Sequence, residues 1–333
     1  MQAQILSGPR SIDTHPLHLS DAPLPEPGAN DLLIRVSVCA VCHTDLHIAE
    51  GELPPKKNKL IPGHQIVGEV ESIGKNVKRF AIGERVGVTW LYSCCGSCEF
   101  CNAGKENLCD DARFTGYHSD GGYAEFVVVP AAFAHAIPVA FPDEQAAPLL
   151  CAGVIGYRSL RLCEIQPGQR LGLYGFGASA HVAIQVARHW NCEVYVFTRS
   201  AKHRDHALEL GAIWAGQAGE RPPHKMDGSI IFAPAGELVP QALGHLRKGG
   251  TLAINAVHMS PIPQFDYPHI YFERTVRSVA NCTRRDAHEL LQLAAEIPIH
   301  SDVETYPLSE ANEVLLRLKR AEIRGAAVLK IPE

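Results

Sequence analysis

The chain has 333 residues, 46% hydrophobic and 20% charged, with a net charge of −5 when its 17 His are neutral. That is room for two domains and ordinary for a soluble globular protein, and it offers no basic field to attract nucleic acid. No apolar run approaches the roughly 18 residues that span a bilayer, and Met1-Gln2-Ala3-Gln4 does not open a charged-then-apolar leader, so neither membrane partner nor secretory signal is expected.

Residues 1–150 read as β-rich. Strands are expected over Leu32–Val38, Ile66–Ile73 and Ala124–Val129. They are punctuated by Gly51, Gly63, Gly74, Gly83 and Gly87 and by Pro54, Pro55 and Pro62. Asp21–Asn30, with Pro23, Pro25 and Pro27, reads as an extended surface loop. After about residue 150 the rhythm changes. Arg170–Tyr174 and Glu193–Phe197 are strands around a helical stretch at Ala180–Trp190. Lys202–Leu210 is a helix closed by Gly211 in the position after its C-cap. Ser229–Phe232 and Thr251–Ile254 are strands with a helix, Leu238–Leu246, between them. This alternation implies right-handed crossovers and a parallel sheet, hence an α/β fold. Helices at Asp286–Glu296 and about Glu310–Arg320 and a strand at Ala327–Ile331 end the chain.

Cys42-His43-Thr44-Asp45-Leu46-His47 concentrates a thiol, two imidazoles, a hydroxyl and a carboxylate in six residues. Alone it could be an exposed polar loop with a stray cysteine. Gly63-His64-Gln65 and Cys151-Ala152-Gly153 change the balance. Two thiolates and one imidazole, Cys42, Cys151 and His64, match a catalytic zinc site whose fourth position is left for water or substrate.

Eleven Cys in a chain without an export signal favour reduced thiols and metal binding over disulfides, with the cytoplasm as the default compartment. Cys95, Cys98, Cys101 and Cys109 can close a tetrahedral shell with no open position, the mark of a structural zinc. The lobe covers about residues 93–112, and Gly96 and Gly104 permit its tight turns. Cys94 is adjacent, so the register could slip by one. Cys95 is preferred because Cys95, Cys98 and Cys101 then share one spacing. Cys39, Cys94, Cys163, Cys192 and Cys282 read as small apolar side chains.

Gly175-Phe176-Gly177-Ala178-Ser179-Ala180 follows a strand and opens a helix, the context a dinucleotide-binding turn requires. Gly175 makes the turn, Gly177 lets the backbone approach a pyrophosphate, and Ala180 lets the helix pack on the sheet. The helix N-terminus then favours the phosphate charge. The second strand ends Phe197-Thr198-Arg199-Ser200, with no carboxylate to select an unphosphorylated ribose. Arg199 could instead take a 2′-phosphate bidentately, which points to NADP(H) over NAD(H). The alternative is that Arg199 is a solvated charge.

With these patterns together, the chain resembles the zinc-dependent alcohol dehydrogenases of the medium-chain dehydrogenase/reductase superfamily. The resemblance runs over essentially the whole chain. It is carried by Val41-Cys42-His43-Thr44-Asp45, Pro62-Gly63-His64, the four-cysteine lobe, Gly121-Gly122-Tyr123-Ala124-Glu125, Cys151-Ala152-Gly153 and the glycine turn. Two Cys and one His is the ligand set already known for the catalytic zinc of alcohol dehydrogenase, so that match is not a new deduction. The resemblance implies a GroES-like catalytic domain from residues 1–150 and 285–333, with a Rossmann NAD(P)-binding domain, 151–284, inserted between. It implies two zinc ions per chain, a small alcohol or aldehyde substrate bound in the cleft, and a homotetramer or homodimer. It gives Asp45 the task of orienting His64. Thr44 would take the alcohol proton and pass it through the cofactor ribose to His47. His43 would meet the pyrophosphate, and Trp90 would form a wall of the alcohol pocket. Three positions depart from the family pattern. Gln65 stands where Glu is usual, Ile155 where Thr is frequent, and Gly325-Ala326 where a Gly-Arg pair meets the phosphates, leaving Arg324 as a candidate substitute. A polyol dehydrogenase is the nearest rival. A zinc-free quinone reductase is disfavoured by the complete ligand set. A zinc-ribbon module for nucleic acid is disfavoured by Glu99, Glu106, Asp110 and Asp111 in the lobe.

Overall fold

The structure, a computed structural model, describes residues 1–297 and 299–332. Pro298 and Glu333, within the 285–333 segment assigned above, lie outside the described residues. The chain divides into two compact units, one of Met1–Cys151, Asn281–Glu296 and His300–Glu333, the other of Ala152–Ala280 and Ile297–Ile299.

The first unit opens with an antiparallel hairpin, β1 (Gln2–Leu6) and β2 (Leu17–Asp21). The alternation of Gln2-Ala3-Gln4 is too polar to announce it. β3 (Asp31–Val41) follows, and its apolar run is buried nearly throughout because it pairs on both sides. Then come α1 (His43–Glu50), β4 (Gln65–Ile73), β5 (Arg85–Val88) and β6 (Leu91–Ser93). A short α2 (Glu99–Asn102) precedes β7 (Arg113–Phe114), β8 (Phe126–Pro130), β9 (Ala134–Ala136) and α3 (Asp143–Ala146).

The second unit begins with α4 (Ala152–Leu162) and alternates β10 (Arg170–Tyr174), α5 (Ala178–His189), β11 (Glu193–Phe197), α6 (Ala201–Glu209), β12 (Trp214–Gly216) and β13 (Met226–Ile231). α7 (Leu238–His245), β14 (Leu246–Ile254) and β15 (Thr275–Ser278) complete it. The strands form one parallel sheet in the order β12-β11-β10-β13-β14-β15. That is the doubly wound order of a Rossmann fold, with β10 at the switch in direction. Gly211 ends α6 as the sequence implies. At φ +91 it donates to the Leu208 carbonyl at 2.9 Å, and Ala212 donates to that of Ala207 at 2.8 Å, a Schellman closure.

The chain returns to the first unit with α8 (Arg284–Glu296), β16 (Val303–Pro307), α9 (Ala311–Lys319) and β17 (Ala326–Lys330). β16 and β17 extend a sheet ordered β16-β17-β3-β4-β5-β9, with β8 also on β3. Both ends of the chain therefore build one sheet, the GroES-like domain, and its core runs from Leu6 and Ile12 through Ile34 and Ile66 to Leu315 and Leu329.

The strands the sequence did not announce, β1, β2, β5, β6, β7, β9, β12, β15 and β16, are short, with two to five residues each, and the unannounced helices are α1, α2, α3 and α4. One cysteine also differs from expectation. Cys39, Cys163, Cys192 and Cys282 are buried, whereas Cys94 is only half-buried beside the thiol lobe. Among the described residues no helix is long and apolar enough to cross a membrane.

His135, on β9 opposite Gly87, is 4% exposed, and its Nε2 has no hydrogen-bond partner among the described residues. Burial, then the charges of Arg79, His288 and Arg284, push its pKa down to about 3. The folded state thus refuses a proton that the unfolded chain accepts near pH 6.5. Stability from this group is full above that pH and falls as pH drops from about 6.5 toward 3. Urea titrations should show the parent losing about 2 kcal/mol more than His135→Gln between pH 7 and 5. Parallel losses in the two proteins would refute this.

Candidate active site and metal centres

The first constellation is built on the start of α1. Cys42, extended at φ −139, ψ 173, is its N-cap, and its sulfur accepts the Thr44 amide at 3.3 Å. Asp45 Oδ2 accepts the Cys42 amide at 3.0 Å, completing a capping box in which cysteine takes the usual place of serine. The other oxygen of Asp45 accepts from Gly63 at 3.3 Å and sits 3.2 Å from Nδ1 of His64. Gly63 is at φ +94, and a Cβ there would meet the Tyr123 ring at 2.4 Å, so only glycine fits this turn. His64 is thereby aimed with Nε2 3.4 Å from the sulfur of Cys42. Cys151, at the end of a 3-10 turn, brings its sulfur into the same group, all three donor atoms within 4.8 Å of one another.

That spacing suits zinc. Bonds of about 2.3 Å to sulfur and 2.0–2.1 Å to nitrogen at tetrahedral angles put S and N roughly 3.6 Å apart. Cys42 and Cys151 are half-buried while His64 is fully buried, so the group has an accessible side. Its electrostatics already favour a cation. The Cys42 thiol lies well below its ordinary value, first through its hydrogen bond with Cys151, and through His64 despite desolvation. Cys151 is pushed up by the same bond and by desolvation. Burial works against protonated His64, but Cys42 and Asp45 outweigh it and lift its pKa to about 10. A divalent ion bound by these atoms would need both thiols and the imidazole deprotonated, so its binding would release protons.

Thr44 and His47 are three residues apart on α1, which puts them on one helix face. His43 is exposed in the first turn of α1. Trp90 stands edge-on to His64 with centroids 4.8 Å apart and stacks on Phe114 at 5.2 Å and Tyr117 at 5.8 Å. It also packs against the main core, so it is both a core aromatic and a neighbour of the donor group.

The second constellation is the lobe closed at its base by β6 and β7. The sulfurs of Cys95, Cys98, Cys101 and Cys109 lie within 4.8 Å of one another, and Cys94 is outside the group. Cys95 and Cys101 are 3.9 Å apart, close to the roughly 3.8 Å that two sulfurs keep around one zinc. Amides of Ser97 and Cys98 bring the Cys95 thiol down to about 6, so one thiolate is prepared even before a metal is considered. Gly96 and Gly104, at φ +75 and +65, make the turns.

In the second unit, Gly175 lies at φ +91, and a Cβ on it would come 2.9 Å from the Ala233 amide. Gly177 caps α5 with open space where a side chain would be. The first amides of α5 are left for an outside acceptor. Ala180 is fully buried, and Gly156 of α4 lets that helix approach, since a Cβ there would meet the Ser179 carbonyl at 2.6 Å. Thr198 and Arg199 follow β11. Their carbonyls are held by Arg204 at 3.1 and 2.9 Å, and Ser200 caps α6 by accepting the His203 amide at 3.3 Å. The exposed Arg199 side chain pairs with no carboxylate among the described residues.

Sequence reasoning missed two features. It did not see the capping role of Asp45, although the Cys-x-x-Asp spacing carries the signal. It did not see Glu52, which meets His47. Arg324, offered as a phosphate contact, is exposed and paired with Asp302 at 2.9 Å. Gln65 is buried at the start of β4, where a neutral amide costs less to desolvate than a carboxylate.

The profile of the family described as "Alcohol dehydrogenase GroES-like domain" matches residues 28–139, and that of "Zinc-binding dehydrogenase" matches 180–296. The chain is 48% identical to a probable alcohol dehydrogenase, AdhA, of Mycobacterium tuberculosis, over 99% of this chain and 97% of that protein. Among solved structures, a cinnamyl alcohol dehydrogenase of Sorghum bicolor aligns with TM-score 0.89 at 28% identity, covering 98% of this chain and 97% of that one. The protein CAD of Helicobacter pylori, complexed with NADP(H), aligns with TM-score 0.86 at 25% identity, covering 99% of each. With whole-length relatives and a thiol and imidazole set that suits zinc in place, the chain belongs to the zinc-dependent alcohol dehydrogenases of the medium-chain dehydrogenase/reductase superfamily.

Proposed function

We propose that the chain catalyses reversible hydride transfer between a small alcohol and NADP(H), with Cys42, His64 and Cys151 holding a catalytic zinc and Cys95, Cys98, Cys101 and Cys109 a structural one. The observation that carries this reading is the donor triad itself, 3.4 Å between Cys42 and His64 with Asp45 fixing the ring from behind. Zinc bound there would supply Lewis acidity, lowering the pKa of an alcohol in one direction and polarising a carbonyl in the other. The protein's share is position. Asp45 holds His64 by Nδ1, so that Nε2 is the donor atom. The Thr44 hydroxyl accepts the proton of the alcohol, and His47, one turn on, releases it to solvent. Trp90 bounds the space beside His64 and excludes water from it. The turn of Gly175, Gly177 and Ala180, and separately His43, would serve the phosphates of a nicotinamide cofactor, which would supply the hydride chemistry when bound.

Thr198 and Arg199 would supply a preference for NADP(H), a reading supported by the absence of a carboxylate partner for Arg199 among the described residues. The parent should show a higher kcat/KM with the phosphorylated cofactor. Arg199→Gln should narrow that ratio by roughly tenfold or more, the worth of a charge-assisted hydrogen bond. A clear preference of the parent for NADH would refute the assignment. A cytoplasmic homo-oligomer fits as well. β15 is a sheet edge with one side unpaired, and Tyr267 and Tyr271 nearby are 66% and 60% exposed. The deciding experiment is a panel of alcohols and aldehydes with both cofactors, beside a zinc count. Two zincs per chain and turnover of simple alcohols support the reading, and turnover on polyols alone overturns it.

A further inference from the structure

His47 is the residue asked to give a proton to solvent, and the fold gives its ring a fixed partner. α1 stops at Glu50, and Gly51 turns the chain back at φ +86. A Cβ on Gly51 would meet Cβ of Pro9 at 2.9 Å, so both conformation and space demand glycine. The turn is closed by the Gly51 amide on the Ile48 carbonyl at 3.3 Å and by the Leu53 amide on the carbonyl of His47 itself at 3.0 Å. It carries Glu52 back over the helix end, with Oε2 2.5 Å from Nδ1 of His47. Along a continuing helix, side chains meet three or four positions apart. These two are five apart, so the contact is a product of the turn.

We propose that Glu52 is a positioning residue for the proton transfer, holding His47 in the tautomer whose basic nitrogen is Nε2; this rests on the relay in the function proposed above. An ionised carboxylate only accepts, so the hydrogen between the two groups sits on Nδ1, and the neutral ring keeps its lone pair at Nε2. When Nε2 takes the proton that leaves the alcohol, the ring stays held at Nδ1 by the Glu52 carboxylate. The proton then passes from Nε2 to bulk water, and the ring returns to its starting tautomer. His47 and Glu52 are 35% and 65% exposed, so water reaches them. The other charges around α1 are engaged among themselves. Glu50 meets Lys319 at 2.9 Å and the Ile12 amide at 3.0 Å, and Lys319 reaches Asp13 at 3.0 Å. The nearest other imidazole, His43, has its ring centroid 6.4 Å away. An ion pair this exposed adds little to folding, so changes at position 52 leave the protein folded.

The test uses the zinc-loaded enzyme as Glu52→Gln, Glu52→Asp and His47→Gln, each checked for metal content and melting temperature. A glutamine can present its amide or its oxygen to Nδ1, so it no longer fixes the tautomer. Glu52→Gln should lower kcat for alcohol oxidation about tenfold, with KM within about twofold and a larger solvent deuterium isotope effect. Glu52→Asp should recover most of the loss, and His47→Gln should fall at least as far as Glu52→Gln. Parent-like kcat and isotope effect in Glu52→Gln, with His47→Gln impaired, would overturn the assignment and leave the relay standing. Parent-like kinetics in His47→Gln would overturn the relay, and the assignment with it.

Discussion

Cys42→Ser is expected to lower kcat/KM for alcohol oxidation by roughly 10³-fold, about 4 kcal/mol of lost transition-state stabilisation, while cofactor affinity and fold stay as they are. The separation follows from what Cys42 does. Its sulfur is both a proposed metal donor and the N-cap of α1, accepting the Thr44 amide. Serine is among the best N-caps, so the hydroxyl keeps the helix start while removing the soft anionic donor. His64→Ala should abolish turnover too, but it is the less clean probe. It leaves Asp45, wholly buried, without its imidazole. Stranding one member of a buried pair costs about 3–5 kcal/mol, so lost activity there would mix with lost stability. The measurement is kcat/KM, the dissociation constant for the cofactor and zinc per chain, all on Cys42→Ser. Full activity in that variant would remove Cys42 from the donor set.

Legibility in the sequence follows the kind of signal. The parallel sheet was readable because β10, β11, β13 and β14 each carry a short buried apolar stretch, such as Val194–Phe197 in β11 and Ile230–Ile231 in β13. β5, β9 and β16 were not, being three to five residues long with polar members. Three segments of the triad were visible as residue types, since thiols and imidazoles at such density are seldom needed for folding. Their grouping was read from ligand chemistry, while the local geometry behind it, the 3-10 turn that delivers Cys151 and the positive-φ turn at Gly63, was not. α1 was hidden for a different reason. Its eight residues, His43 to Glu50, include two His, Thr, Asp and Glu, so no apolar period marks it. What makes it a helix is local closure, by Cys42 and Asp45 at one end and Gly51 at the other. The Glu52 contact is invisible in sequence because a turn, rather than a repeat, brings the two residues together.

Cys98→Ser should leave the chemistry of the triad alone and instead cost several kcal/mol of stability, on the order of 10 °C in melting temperature, with the loss of one zinc per chain. The lobe has little else to hold it. α2 has four residues, too short to form alone, and Cys95, Gly96, Ser97 and Glu99 are exposed. Its amides are organised around sulfur. Cys98 donates to the sulfur of Cys95 at 3.3 Å and Cys95 to that of Cys109 at 3.5 Å. Cys101, by contrast, is lifted to about 11, first by desolvation and next by its bond with Cys94, so the four thiols do not all ionise unaided. A cation that draws all four together would therefore supply most of the lobe's folding energy. One tether survives the substitution. Glu106, 4% exposed, accepts the amide and Nε of Arg284 at 3.1 and 3.0 Å and ties the lobe to the start of α8. Burial raises the Glu106 pKa, but its own backbone amide and Arg284 bring it below the usual carboxylate range. Unfolding in Cys98→Ser should accordingly stay within about residues 93–112, readable as fast proteolysis at Lys105 while the sheet built on β3 stays protected. Equal zinc content and an unchanged melting temperature in Cys98→Ser would rule out a closed metal shell as the lobe's support.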